Sequence, residues 1–338
     1  MSVQLMEICG THTMSIAKSG IRSMLPEGVE LVSGPGCPVC VTPSNVIDEI
    51  LKLAMRPDVI ITTYGDMVRV PGNKRGDNLR RRMAEGAQVR VVFSPTDAIK
   101  IAKENPDKQV VFLGVGFETT APGTAAAVGD AAALGIPNFT VLPMLKTCEP
   151  VLRALAADPE FSINGFLCPG HVAVIIGSEG FEFLSKEYHL PGVVAGFEAE
   201  DILKSVAMLL RQLKEGRAEI ENEYSRAVAP EGNPLAKAMI EKYLEPVDTV
   251  WRGLGEIPKS GLGIKEEFAE FDAIKRFGIE FGAEETPTGC RCGEVIRGKL
   301  HPQGCPMFGK VCTPEDPVGP CMVSSEGACA AAFKYGFF

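Results

Sequence analysis

Six of the chain's eleven cysteines, Cys290, Cys292, Cys305, Cys312, Cys321 and Cys329, lie close together near its C-terminal end. The text between them is rich in Gly and Pro and keeps no helical or strand period for more than a few residues. Such a segment buries little apolar surface. Something other than a hydrophobic core must fix it, and thiolates that share a metal or an iron–sulfur cluster do so by linking distant points of a chain. A disulfide framework belongs to small secreted domains, and no export signal is read after Met1. A zinc ribbon wants paired C-x2-C knuckles, which this segment lacks. An iron–sulfur cluster takes four cysteines at long, uneven spacing, which favours it here and leaves two thiols over. The CxC at Cys290 and Cys292 allows one sulfur on a cluster with the other beside it, free for thiol chemistry.

A chain of 338 residues, 45% hydrophobic and 23% charged, has the make-up of a soluble globular protein of two or three domains. Its formal charge of −9 argues against nucleic acid or anionic membrane as the main partner. No apolar run reaches membrane-spanning length. The cysteines are therefore expected as reduced thiols, ligands or redox groups in the cytoplasm.

A short apolar strand at the start ends in Cys9, Gly10, Thr11, His12 and Thr13, which a parallel sheet would deliver to its carboxyl edge. Cys9 and His12 are three apart, a spacing that lets a thiolate and an imidazole address one metal ion; the plainer reading is a buried Cys and a solvent-facing His. In 29–72, a strand runs into a Gly/Pro turn holding Cys37 and Cys40. A helix follows with apolar Val46, Ile47, Ile50, Leu51, Leu53 and Ala54, then a strand over 59–63. A C-P-x-C loop at a helix N-terminus is a thiol–disulfide arrangement, because the helix dipole favours thiolate; it also suits a metal site, or a pair of structural cysteines. A further strand over 109–115 leads to Glu118, Thr119 and Thr120, in a loop that is neither G-x-G-x-x-G nor a P-loop, so no nucleotide is predicted from it.

The stretch 139–177 repeats the element order of 29–72, with Cys148 near where Cys37 and Cys40 stand in the first copy. Cys168, Pro169, Gly170 and His171 follow a strand of this second copy, and His171 reads as a base, a ligand or a structural histidine. A helical, charged stretch over 200–242 closes the half. The fold predicted is α/β, with two similar doubly wound parallel-sheet (Rossmann-like) domains over 1–130 and 131–240 facing a cleft, and a Cys-rich iron–sulfur domain over 241–338.

Assembled, these motifs resemble the HypD family of hydrogenase maturation proteins: CGTHT at 9–13, GPGCPVC at 34–40, GFETTAP at 116–122, CPGHV at 168–172 and CPMFGKVCTPEDPVGPCMVSSEGAC at 305–329. Five motifs in this order across almost the whole chain are highly specific. The resemblance implies a scaffold that, with the small partner HypC, holds the iron on which the Fe(CN)2CO group of NiFe hydrogenases is built. HypE supplies cyanide, and the hydrogenase large subunit is served indirectly. The family's C-x14-C-x6-C-x16-C pattern implies a 4Fe-4S cluster on Cys290, Cys305, Cys312 and Cys329; spacing equally admits Cys292 in place of Cys290. Cys292 and Cys321 are then an extra thiol pair, similar to that beside the cluster of ferredoxin:thioredoxin reductase. Cys9, His12, Cys37 and Cys40 are expected to face iron in the cleft, with electrons passing from the cluster through Cys292 and Cys321 toward Cys37 and Cys40. Two other readings are a 4Fe-4S-dependent thiol–disulfide oxidoreductase that uses Cys37 and Cys40 on a protein disulfide, and a structural cluster in a docking protein.

Overall fold

Continuous apolar runs such as VIITT, QVVFLGVG and FTVLPMLK suit strands covered on both faces, and they form the centre of a largely parallel sheet in the computed structural model, which describes residues 3–283 and 289–336. In chain order, β1 (Val3–Glu7), α1 (Gly10–Lys18), β2 (Val29–Ser33), α2 (Ser44–Ala54) and β3 (Val59–Thr63) come first. Next are α3 (Leu79–Ala84), β4 (Gln88–Val91), α4 (Pro95–Glu104), β5 (Gln109–Gly116), α5 (Ala121–Ala133) and β6 (Phe139–Lys146). Then follow α6 (Cys148–Ala156), β7 (Gly165–Pro169), α7 (Gly170–Ile176), α8 (Glu182–Tyr188), β8 (Gly192–Ala195), α9 (Ala199–Glu215) and β9 (Ile220–Asn222). The chain continues as α10 (Pro234–Tyr243), the hairpin β10 (Leu244–Trp251) and β11 (Gly255–Ile264), and the short helices α11 (Ala273–Phe277), α12 (Cys292–Val295) and α13 (Ala328–Tyr335). No helix among the described residues is long and apolar enough to cross a membrane.

Two sheets result. One is all-parallel in the order β2-β1-β7-β8-β9; the other runs β10-β11-β6-β5-β3-β4, parallel except where the β10-β11 hairpin lies antiparallel against β6. The α/β class and the two parallel-dominated sheets agree with the sequence. The sheets do not, however, follow consecutive halves of the chain, since β1 and β2 pair beside β7 rather than with β3 to β5. The look-alike stretches 29–72 and 139–177 are both crossovers: β2-α2-β3 passes from the first sheet to the second, and β6-α6-β7 passes back. Each keeps a helix with one apolar face, such as Ile47, Ile50, Leu51 and Ala54 on α2, that joins the largest apolar core and packs on the second sheet, α2 against β3 and α6 against β11.

The helical stretch expected over 200–242 is instead α9, β9 and α10. Pro230, Gly232 and Pro234 interrupt the helical pattern, and Asn233 restarts it by capping the Ala236 amide. At the end of β10, Trp251 is fully buried, its Nε1 donating to Ser260 Oγ at 2.7 Å and its ring centroid 5.9 Å from that of Phe117. Trp251→Ala should cost about 3–5 kcal/mol, seen as a lower denaturant midpoint with little change in slope.

Candidate functional site

In an open parallel sheet, ligands gather beyond the carboxyl ends of strands where the strand order reverses. The order reverses between β1 and β7 in one sheet and between β3 and β5 in the other. The loops after all four strands, joined by those after β2 and β6, line a single cleft of about 360 Å³. The rim is completed by Ser324, Ser325 and Glu326 from the C-terminal segment. Ser325 N and Oγ each donate to Asp66 Oδ2 at 2.9 Å, and Thr11 Oγ1 donates to Glu326 Oε1 at 2.9 Å.

Cys9 lines the cleft as the residue that begins α1, so the Thr11 and His12 amides reach its sulfur and favour thiolate. Burial, helped by the Glu326 carboxylate, outweighs them and pushes the thiol up to about 12. A metal cation at the sulfur would reverse that balance. The GPGC turn is pressed against Cys9: a Cβ on Gly36 would sit 2.3 Å from the Cys9 nitrogen, so only glycine lets the two loops meet.

Cys37 and Cys40 are joined as a disulfide, with Cα atoms 5.2 Å apart, in a turn that precedes α2 by about one turn of chain. Both are buried behind the cleft wall formed by Pro38 and Val39. Ser324 Oγ lies 3.3 Å from Cys37 Sγ. His12 is fully buried, not solvent-facing: its Nε2 lies 2.9 Å from Gly196 O, its ring stacks on Phe197, and its Nδ1 has no partner. Burial pushes its pKa down to about 4. Phe197 also stacks on His171, at 3.8 Å between centroids, and His171 does line the cleft. Among the described residues, no three His, Cys, Asp or Glu side chains converge closely enough to hold one metal ion.

Two buried carboxyls flank the site, and only one of them stands in a motif. Glu7, the fully buried last residue of β1, accepts from Thr13 Oγ1 at 2.5 Å and from Cys9 N at 3.1 Å, and burial raises its pKa to about 7. Its only sequence signal is an acidic residue between the apolar Met6 and Ile8. Cys148 opens α6 at the cleft wall, and its amide donates to Glu118 Oε1 at 2.7 Å. Glu118 is 6% exposed with Oε2 unpartnered, and burial raises its pKa to about 7. A carboxyl whose folded pKa lies above its unfolded value binds an extra proton on folding, so its contribution is complete below about pH 4.5 and is lost as pH rises through about 7. Stability should fall between those limits, and Glu118→Gln should flatten that fall by on the order of 3 kcal/mol, measured by urea melts across pH.

The six C-terminal cysteines line one further cavity, walled between the sulfurs by Val295, Met307, Phe308, Val318 and Met322. Val318 N donates to Cys312 Sγ at 3.3 Å. Hydrogen bonding to Cys290 and Cys321 pushes the Cys292 thiol well below its ordinary value, while their own thiols are raised. All six are unpaired in disulfide terms. Cys168, by contrast, is buried within β7 and lines neither the cleft nor the cavity.

Fold and site together define a two-sheet α/β protein whose sulfur chemistry is gathered at one cleft and one cavity. The sequence model described as "HypD: Hydrogenase formation hypA family" matches residues 1–336. The chain is 47% identical over 339 residues to the hydrogenase maturation factor HypD of Rhodobacter capsulatus, covering 99% of this chain and 89% of the relative. To the factors of the same name in Azotobacter vinelandii and Escherichia coli strain K12 it is 47% and 45% identical, each over 98% of this chain and 89% of the relative. The chain belongs to the HypD family of hydrogenase maturation factors.

Proposed function

We propose that this chain is a cytoplasmic scaffold on which, with HypC, the Fe(CN)2CO group of NiFe hydrogenases is assembled, HypE supplying the cyanide and the hydrogenase large subunit receiving the product. The observation that carries this reading is the convergence of loops from both sheets on Cys9, with the Cys37–Cys40 pair directly behind. Iron is the cargo. As described, the cleft offers it the Cys9 sulfur; two electrons and two protons added to the disulfide free two more soft donors behind the wall, and His12, which does not itself line the cleft, keeps an unpartnered Nδ1. Remaining positions on the iron belong to HypC and to the small ligands.

The cysteine cavity fits a 4Fe-4S cluster by its donor set, which is sulfur alone within apolar walls, and by the amide donated to Cys312. Cys290, Cys305, Cys312 and Cys329 would hold the cluster, which supplies single electrons when bound. Cys292 and Cys321 are the thiol pair beside it. Cys321 is three residues from Ser324, which touches Cys37, and three residues span at most about 10 Å, so thiol pair and disulfide are near neighbours. The disulfide itself also favours a second reading, a cluster-dependent thiol–disulfide oxidoreductase.

Anaerobic iron and sulfide quantitation with Mössbauer and infrared spectra, on the chain alone and with its HypC partner, separates the two. Iron in excess of the cluster, with cyanide and carbonyl stretches, is the expected result. Iron accounted for by the cluster, with no such bands when the loaded partner is bound, supports the oxidoreductase instead.

A further inference from the structure

Arg252 follows Trp251 after β10 and is 1% exposed. None of its three guanidinium nitrogens makes a hydrogen bond of regular geometry among the described residues. Arginine keeps its charge inside proteins, and a buried charge without a counter-charge is among the least favourable groups a fold can hold. What this guanidinium faces is sulfur: it lies beside Cys292, and its field reaches Cys290 as well.

The backbone fixes this placement. A Cβ on Gly253, whose φ is +75°, would sit 2.5 Å from the Gly293 Cα, and one on Gly293 would sit 3.0 Å from the Gly253 Cα. The two main chains therefore touch, which sets the residues just before them, Arg252 and Cys292, side by side. Arg297 Nη2 clamps the same turn by donating to Gly253 O at 2.6 Å. On its other flank, Arg252 N donates to Val41 O at 2.8 Å, one residue past the disulfide.

We infer that Arg252 is a positioning residue of the cysteine cavity, its buried guanidinium being the built-in counter-charge of a metal cluster held by the surrounding thiolates and raising that cluster's reduction potential. The inference rests on the reading of the cavity as an iron–sulfur site. Thiolates and sulfide leave such a cluster net negative, and walls of Val295, Phe308, Val318 and Met322 screen that charge poorly. A fixed, buried positive charge next to Cys292, just behind those walls, favours the state with one more electron, which a solvated surface lysine does only weakly.

The test compares full-length wild type, Arg252→Met and Arg252→Lys, each with and without iron and sulfide loaded anaerobically. Iron and sulfide content, thermal stability and the midpoint potential from an EPR-monitored titration are read for all three. The expected result is a more negative midpoint and faster iron loss to a chelator for Arg252→Met, with Arg252→Lys close to wild type. Without metal, Arg252→Met should melt no lower than wild type, because an uncompensated buried charge has been removed. Equal midpoints in all three, equal displacement in Met and Lys, or a metal-free Arg252→Met that does not fold would each overturn the inference. A wild type that takes up no cluster, with metal-free Arg252→Met as stable as expected, marks failure of the cavity reading and takes the inference with it.

Discussion

Cys9→Ala should fold as the parent does and yet lower maturation of a NiFe hydrogenase by on the order of a hundredfold or more, measured as hydrogenase activity in cells whose only copy of this factor is the variant. The thiol is small and half-buried, and the amides that reach it, those of Thr11 and His12, belong to its own helix, so its removal leaves the two sheets intact. Its position is what cannot be replaced: it begins α1, lies against the GPGC turn and lines the cleft. Cys168→Ala is the matched control, a buried thiol within β7 outside the cleft, and should retain activity. Full maturation by Cys9→Ala, or equal loss in both variants, would remove Cys9 from the site.

Cys312→Ala should have the second large effect, on a different part of the molecule. The segment between α12 and α13 is turns, bends and two single 3-10 turns (Pro302–Gly304 and Pro320–Met322), and its own small core consists of Cys312, Val318 and Met322 with a few half-buried neighbours. If thiolates on a shared metal cluster hold it, losing one ligand lowers bound iron and speeds backbone exchange over 302–322 by on the order of a thousandfold, with the sheets still protected. Mass-resolved hydrogen exchange on metal-loaded wild type and variant reads this. Unchanged exchange with iron lost would mean that apolar packing and contacts such as Arg75 to Asp316 suffice to hold the segment.

The elements were legible in the sequence where local chemistry is strong. VIITT and QVVFLGVG are strands at sight, and the apolar stripe of α2 marks a helix. The thiol motifs also stood out, because Cys in Gly/Pro turns has few other uses. Which strands share a sheet was not legible, since β1 pairs with β7 across the chain and no local pattern encodes that partner. For the same reason Asp66 and Glu326 escaped notice at the cleft, each an ordinary residue until the fold brings its loop there, whereas Cys148 was marked by its place in the repeated element order. The repeat between 29–72 and 139–177 was real as an element order, but its meaning, two passages between sheets, lies in pairing rather than in periodicity. Arg252 had no sequence signal beyond its neighbours Trp251 and Gly253, and Glu7 and His12 owe their burial to what covers them.

The interleaved strand order also sets a timetable for the ribosome. β2 ends at Ser33 and the strand that joins its sheet on the far side of β1 begins at Gly165. At about 5–20 residues per second, the nascent chain waits on the order of ten seconds before that pairing can start. Cys9, Cys37 and Cys40 are translated at the beginning of this interval and are covered only at its end. In a newborn chain they are open thiols on a half-made sheet, and their first encounters with oxidant, metal or chaperone come before the cleft exists.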